Sequence, residues 1–203
     1  TSSPTSSNKA TLAPAWTVER NQAGMRLGYA VAVAGDVNAD GYSDVLVSAP
    51  FYSSGQNNEG RAYVFLGGAT GLPAGAVWTA DGNQDLAYFG HSVATAGDVN
   101  GDGYSDVIVG AYGYDGGQVD EGRVFVYHGS NTGPDIAAAW TAESNQASAR
   151  FGIAVSSGGD VNDDGYGDVL VGADAHATSG VSTGRAFLWL GSTSGLGANG
   201  SPS

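Results

Sequence analysis

The stretch that decides the fold is Asp36–Asp44, which reads Asp-Val-Asn-Ala-Asp-Gly-Tyr-Ser-Asp. A second copy at 98–106 reads Asp-Val-Asn-Gly-Asp-Gly-Tyr-Ser-Asp, and a third at 160–168 reads Asp-Val-Asn-Asp-Asp-Gly-Tyr-Gly-Asp. Successive copies are 62 residues apart. In every copy, side-chain oxygens stand at positions 1, 3, 5 and 9, and a glycine stands at position 6.

This spacing predicts a site for a hard cation. Alternate residues of a tight loop turn their oxygens inward, and the glycine permits the positive φ that returns the chain. The backbone carbonyl of the position-7 tyrosine can supply a further oxygen. Such a shell favours Ca²⁺, which accepts six to eight oxygens, over strictly octahedral Mg²⁺. We therefore predict three Ca²⁺ ions per chain, with these ligands: Asp36, Asn38, Asp40, Tyr42, Asp44; Asp98, Asn100, Asp102, Tyr104, Asp106; Asp160, Asn162, Asp164, Tyr166 and Asp168.

An ordinary turn is the alternative, since Asn or Asp followed by Gly also forms hairpins without any metal. A turn needs about two of these residues, whereas all four oxygen-bearing positions recur in each copy, which favours the metal site. The loop differs from an EF-hand, which ends with glutamate at position 12. Here that position is Val47, Val109 or Val171, within an apolar run typical of a strand.

The same 62-residue step relates residues well outside the loops. It relates tryptophans, Asn-Gln pairs, Gly-Arg pairs and paired glycines: Trp16, Trp78, Trp140; Asn21, Asn83, Asn145; Arg61, Arg123, Arg185; Gly67, Gly129 and Gly191. A period of this size indicates an array of supersecondary units. Each unit has about four short β-rich runs, which is typical of a β-propeller blade. The predicted fold is all-β, with three four-stranded blades that form half of a six-bladed ring or a fragment of a larger propeller.

The repeat also predicts the domain boundaries. Residues 1–15 form a polar tail, and 16–23 form an N-terminal strand. Blade 1 is 24–85, blade 2 is 86–147, and blade 3 is 148–203 without its outer strand. Because propellers close by leaving no edge open, we expect the N-terminal strand to complete the last blade of its own or a partner chain.

Composition limits the classes of function. The net charge is −13 with only seven Lys and Arg, so the chain lacks the basic face that a nucleic-acid partner requires. There is no cysteine, and no apolar run approaches the roughly 20 residues of a membrane span. Weak calcium sites are typical of extracellular modules, so we expect a secreted or cell-surface protein.

No catalytic constellation stands out. The three histidines occupy different positions in their repeats, and no Gly-x-Ser-x-Gly motif is present. We predict that the aligned arginines pair with a neighbouring blade, with an anion site as the alternative. The tryptophans are expected to pack between blades rather than stack on sugars. We therefore expect a protein without enzymatic activity.

The longer pattern resembles the FG-GAP repeats that form the propeller of integrin α-subunits. Copy two shows it from Phe89-Gly90 through Gly97-Asp98 to Gly110-Ala111. Copy one departs by Leu27 for Phe and Ser48 for Gly. These departures affect packing and leave the ligand positions intact. The resemblance implies calcium in the acidic loops and recognition of a protein on a propeller face.

The number of blades departs further from that family, which usually closes with seven. Three blades cannot encircle an axis, so the remaining blades belong to a longer chain or to a second copy in a homodimer. The predicted function is a calcium-binding module for protein interaction or cell adhesion, with calcium mainly structural. The alternatives are a sugar-binding propeller of the lectin type and an accessory domain of a secreted hydrolase.

Overall fold

The structure is a computed structural model that describes residues 13–197, and within that range it is all-β without a helix, as predicted. Two antiparallel sheets have four strands each. They are formed by β1 (Val31–Gly35), β2 (Asp44–Ala49), β3 (Arg61–Phe65) and β4 (Trp78–Asp81), and by β5 (Ser92–Gly97), β6 (Asp106–Ala111), β7 (Arg123–Tyr127) and β8 (Trp140–Glu143).

The third sheet has only three strands: β9 (Phe151–Gly159), β10 (Asp168–Ala173) and β13 (Arg185–Trp189). A small hairpin, β11 (Ala177–Thr178) with β12 (Val181–Ser182), lies in the connection from β10 to β13. Each sheet is an antiparallel meander, interrupted only by the β11–β12 hairpin in blade 3, which is the arrangement of a propeller blade. The predicted tail lies outside the described residues except for 13–15, and so do residues 198–203 of blade 3.

The hydrophobic core lies between blades rather than inside any one of them. Leu46, Val64 and Trp78 of blade 1 pack against Phe89 and Val109 of blade 2. The equivalent residues of blade 2 pack in the same way on blade 3, where Phe151, Val171 and Trp189 are buried. The middle strands β2 and β6 are apolar runs because both of their faces are covered, whereas Leu170 in the middle strand β10 of blade 3 is exposed. Each blade therefore depends on its neighbour for burial.

The tryptophans form part of this packing, as expected. The indole Nε1 of Trp78 donates to the Asp135 carbonyl at 2.8 Å, and that of Trp140 donates to the Gly197 carbonyl at 2.9 Å. In both cases the acceptor belongs to the next blade. Trp16 makes the same bond to the Pro73 carbonyl at 2.8 Å, so it takes the place of a tryptophan from a blade preceding blade 1.

The N-terminal segment 16–23 forms no strand in the single chain. A strand needs a ladder partner, and the described part of blade 1 pairs β1 to β4 only with one another. The prediction that this segment completes a last blade is therefore not tested in the single chain.

The aligned arginines have partners other than those predicted. Arg61 forms an ion pair with Asp81, and Arg123 with Glu143. Each acid lies on the adjacent strand of the same blade, directly opposite its arginine in the register. These two arginines are structural, as expected, but they join the third and fourth strands of one blade instead of two neighbouring blades.

No helix that could cross a membrane occurs in the part of the chain that the structure describes.

Candidate metal centre

The three acidic loops connect the first and second strands of each blade and lie at one end of the sheets. Two residues of each loop have positive φ. In the first loop these are Ala39, with φ of 55°, and Gly41, with φ of 89°. The motif predicted a left-handed residue at position 6, and the structure adds another at position 4. The chain reverses at these two left-handed residues, which directs the acidic side chains towards the interior of the loop.

The first aspartate of each loop accepts hydrogen bonds from the backbone of the loop itself. The Asp36 carboxylate accepts the N–H of Asp40 at 3.0 Å and the N–H of Gly41 at 2.8 Å. Asp98 and Asp160 accept the corresponding N–H groups of their own loops. These bonds lower the pKa of Asp160, chiefly through the N–H of Gly165. The position-1 carboxylate is therefore oriented by the backbone of its own loop.

Positions 3 and 5 contact each other. The Asn38 side-chain amide donates to Asp40 at 2.9 Å, and Asp40 also accepts the N–H of Tyr42 at 3.0 Å. Asn100 with Asp102, and Asn162 with Asp164, repeat the arrangement at 2.8 Å. Hydrogen bonds thus link positions 1, 3 and 5 within one exposed loop, and the prediction that their oxygens share a cation stays a prediction. The structure shows no ligand role for the carbonyls of Tyr42, Tyr104 and Tyr166, which therefore remain predictions.

The position-9 aspartate differs from the other ligand candidates because it is fully buried. Asp106 accepts the N–H of Val99 at 2.9 Å with one oxygen and the N–H of Gly129 at 2.8 Å with the other. Asp44 makes the same two bonds to Val37 and Gly67, and Asp168 makes them to Val161 and Gly191. This carboxylate ties its loop to the connection between the third and fourth strands, so it has a structural role that is independent of any metal.

Burial opposes the ionisation of this aspartate in the first two loops. Desolvation raises the pKa of Asp106 to about 6, although its two N–H donors act in the opposite direction. Burial likewise raises the pKa of Asp44. A nearby divalent cation would favour the ionised form, because an opposite charge lowers the pKa of a carboxyl group.

The donor set of each loop fits a hard cation. Every side chain at positions 1, 3, 5 and 9 carries oxygen, and a carboxylate oxygen that accepts one N–H keeps a second lone pair; Asp98 Oδ1, which accepts two N–H groups, is an exception. Within residues 13–197, no group of three or more His, Cys, Asp or Glu side chains has the geometry of a metal site. The carboxylates instead bond to backbone N–H groups, and the assignment of Ca²⁺ ligands remains a prediction.

The loops are also joined from blade to blade. The N–H of Ser105, at position 8 of the second loop, donates to the carbonyl of Asp36 in the first at 2.9 Å. The N–H of Gly167 donates to the carbonyl of Asp98 at 2.7 Å. Position 8 of one loop therefore holds position 1 of the preceding loop, so a change in loop shape is transmitted to the contact between blades.

Two further repeated side chains support the blades and were not singled out by sequence reasoning. Glu121 is buried, and its Oε1 accepts the N–H groups of Gly116 and Gly117; Glu59 accepts the N–H of Ser54 in the equivalent loop. Both glutamates precede a Gly-Arg pair, and this shared Glu-Gly-Arg sequence was the available signal.

The glutamine of each Asn-Gln pair noted in the sequence bonds to the backbone of the blade that follows it. The Gln84 side-chain amide both donates to and accepts from the backbone of Asp115 in the next blade. Gln146 does the same with Ala177, and Gln22 with Ser53.

The fold and the loops together define a propeller-blade repeat protein with one acidic loop per blade. Comparison with known proteins agrees with this class. The FG-GAP repeat model matches three times, at residues 27–65, 89–127 and 151–189. The chain therefore belongs to the FG-GAP repeat family, and the predicted resemblance is confirmed.

Relatives among known proteins are integrin α chains. The chain is 36% identical to integrin alpha-PS2 of Drosophila melanogaster over 82% of its length, and 40% identical to integrin alpha pat-2 of Caenorhabditis briggsae over 75%. It is 33% identical to integrin alpha-5 of Xenopus laevis over 79%. These matches cover 13%, 14% and 16% of the respective relatives, so the chain spans only a small part of their length.

Proposed function

We propose that this chain is a calcium-binding propeller module for protein interaction of the adhesion type, in which Ca²⁺ is mainly structural. The family and its integrin relatives support an adhesion-related module. One ion per loop would be held by the oxygens of positions 1, 3, 5 and 9, together with the position-7 carbonyl. We further propose that the protein is non-enzymatic and is secreted or displayed at the cell surface, where calcium is abundant enough to fill weak sites.

The observation that carries this proposal is the link between neighbouring loops. Ser105 holds the Asp36 carbonyl, and Gly167 holds that of Asp98, so each acidic loop is also part of a blade contact. Each loop contains three predicted aspartate ligands, and their mutual repulsion opposes closure. A bound cation reverses the sign of this interaction, and its binding energy then becomes folding energy. Calcium would thereby stabilise the contacts between blades rather than take part in a reaction.

Chelation is expected to lower the melting temperature by several degrees, and excess calcium should restore it. Calcium at one to ten times its Kd stabilises a single-site protein by about 0.4–1.4 kcal/mol. Three such sites contribute about 1–4 kcal/mol, which corresponds to roughly 3–10 °C for a chain of this size. Differential scanning calorimetry with EDTA and with calcium measures the shift. Native mass spectrometry of the same samples counts the bound ions, and three per chain are expected.

Magnesium at the same concentration is the control, because a flexible oxygen shell favours calcium. Melting curves that overlay in EDTA and calcium, together with a chain mass that shows no bound calcium, would refute the metal assignment.

A second candidate function, glycan binding, is favoured by a cleft at the opposite end of the blades. The cleft has a volume of about 350 Å³ and is lined by Tyr88, Tyr112, Asp120 and Arg150, among others. The two tyrosine rings stack with centroids 5.1 Å apart and planes 4° apart. Aromatic rings beside charged hydrogen-bonding groups suit a sugar as well as a peptide.

A glycan array should separate the two functions. If the cleft binds sugars, specific signals should appear for the wild type and fall at least tenfold for Tyr112→Ala. Tyr42→Ala, which changes an exposed tyrosine at the acidic end of blade 1, is the matched control and should retain them. An array without specific signals would leave the protein-interaction module as the proposal.

A further inference from the structure

Blade 3 ends in a face that is interior in the other two blades. Val161 is 53% exposed and Leu170 is 40% exposed. Their repeat equivalents, which are Val37, Val99, Leu46 and Ile108, are all 0% exposed, because the following blade covers them. Ala186 is likewise exposed, whereas Ala62 and Val124 are buried. The composition of this face is therefore that of a contact between blades.

Blade 1 ends in the complementary face. Val31 is 66% exposed, whereas its equivalent in blade 2, Val93, is 9% exposed against blade 1. Behind Val31 lies a cluster of Met25, Val47 and Phe65, against which Trp16 and Val18 pack. This cluster corresponds to the two cores between blades, but it lacks the leucine or isoleucine that the preceding blade contributes to them. Leu170 is the residue that occupies this position in blade 3.

The N-terminal segment is already seated as the outer strand of a preceding blade. The Trp16 indole donates to the Pro73 carbonyl, and the Gln22 side chain both donates to and accepts from the Ser53 backbone. Trp78 and Gln84 make the equivalent contacts on blade 2. The residues between these anchors, Trp16-Thr17-Val18-Glu19, match Trp-Thr-Ala-Asp of β4 and Trp-Thr-Ala-Glu of β8. This segment has every feature of a fourth strand except a third strand beside it.

The charges on the two open edges are also complementary. Glu19 stands where Asp81 and Glu143 pair with Arg61 and Arg123. Arg185 is the equivalent arginine of blade 3, and no acid pairs with it among residues 13–197. Both Glu19 and Arg185 are exposed. Each open edge therefore carries one member of the arginine–acid ion pair that blades 1 and 2 contain in full.

We propose that a second copy of this chain covers blade 3, and that its segment 16–19 is the fourth strand of the blade 3 sheet. The register follows from the other blades, in which the arginine lies opposite the acid. Arg185 pairs with Glu19 of the second copy, Ala186 with Val18, Phe187 with Thr17, and Leu188 with Trp16. Leu170 fills the cluster of Met25, Val47 and Phe65. Two such contacts close a six-bladed ring with two-fold symmetry.

Two observations favour a second copy over other strands as the occupant. Segment 16–22 of the same chain is anchored on blade 1, which blade 2 separates from blade 3. The 62-residue step from Trp140 arrives at Pro202, and proline lacks both the indole and the backbone N–H of a paired strand residue. Pro202 therefore cannot make the contacts that Trp140 makes in blade 2, whereas Trp16 of a second copy can.

Engineered cysteines test the register, because the natural chain has none. Residues directly opposite in an antiparallel pair have the Cα separation that a disulfide needs. A mixture of Val18→Cys and Ala186→Cys chains should form a disulfide-linked dimer on mild oxidation. Thr17→Cys with Ala186→Cys is the control and should not link, since alternate residues of a strand face opposite sides. A Val18→Cys, Ala186→Cys double variant that closes its disulfide within one chain would overturn the second-copy proposal.

Sedimentation velocity tests the charge pair. In excess calcium, the wild type should sediment at about twice the 20.3 kDa of one chain. Glu19→Arg and Arg185→Glu should each raise the dimer dissociation constant, on the order of a hundredfold, because a like-charge pair then recurs at both contacts. Combining the two substitutions should restore the dimer. Arg123→Glu, whose ion pair lies within blade 2, should leave it intact.

A wild type that remains monomeric at all concentrations would overturn the proposal, and so would a double charge variant no better than the single ones. The calcium count of a monomeric variant is a separate readout. A monomer that still binds three calcium ions rejects the ring while leaving the proposed function in place.

Discussion

Replacing Asp106 by alanine is expected to destabilise the protein by about 4 kcal/mol, with or without calcium. The Asp106 carboxylate is buried and accepts the N–H groups of Val99 and Gly129. Without it, both N–H groups lose their acceptor, and each unsatisfied buried donor costs about 1–3 kcal/mol. Urea unfolding at one fixed protein concentration, in calcium and in EDTA, measures the loss.

Asp102→Ala is the matched control because it removes a carboxylate of the same loop that is exposed. Its effect should be small in EDTA, because water can replace the exposed hydrogen bonds that Asp102 accepts from Asn100 and Tyr104. The effect should be larger in calcium, where the proposed ligand role is lost as well. The Asp106 variant should be strongly destabilised in both buffers. An Asp106→Ala unfolding curve that overlays the wild type in EDTA would show that the carboxylate does not hold the two connections together.

Replacing Gly122 by alanine should cost a similar amount, about 2–5 kcal/mol, by separating blades 2 and 3. Gly122 has φ of +82°, and a Cβ there would lie 2.1 Å from the carbonyl oxygen of Phe151 and 2.6 Å from its nitrogen. The left-handed conformation costs about 1–2 kcal/mol for a residue with a Cβ, and overpacking adds about 1–3 kcal/mol. Backbone atoms cannot move aside as a side-chain end can, so the blade contact itself must open.

Gly180→Ala separates the two contributions. Gly180 has φ of +80°, but a Cβ there would meet nothing within 4 Å. This variant should show the conformational cost alone, and the difference in urea midpoint between the two variants reports the contact between blades. Equal losses in both would mean that Gly122 is required only for its backbone conformation.

Much of the fold could be predicted from local patterns. The period of 62 residues, the four β-rich runs and the apolar middle strands predicted the blades, and the structure and the family match confirm the all-β propeller class. The oxygen spacing predicted that positions 1, 3 and 5 of each loop share a cation; this stays a prediction, and the structure shows hydrogen bonds that link these residues within the loop. These features depend on residues within one turn or one strand, where the order of side chains directly determines which atoms meet.

The rest depended on residues that are distant in the chain. The position-9 aspartate, predicted as a ligand, also holds a glycine 23 residues away, as in the Asp106 bond to Gly129. The arginines were expected to reach another blade, but Arg61 and Arg123 instead pair within their own sheets, because strand register places an acid opposite each of these two. Gly60 and Gly122 belong to the repeated Gly-Arg pairs, but the pattern did not show that the backbone of the next blade leaves no room for a Cβ at either position.

The amino-acid sequence by itself determined the repeat unit, the acidic loops and the placement of tryptophans, since these are set by spacing along the chain. Only the tertiary structure decided which of these residues meet across blades, which carboxylate is buried, and which face of blade 3 is left uncovered. The physical reason is that a single blade buries little on its own. Leu46, Ile108 and Leu170 occupy the same position in the repeat. The following blade covers the first two and makes them core residues, whereas no blade among the described residues covers Leu170, which is exposed.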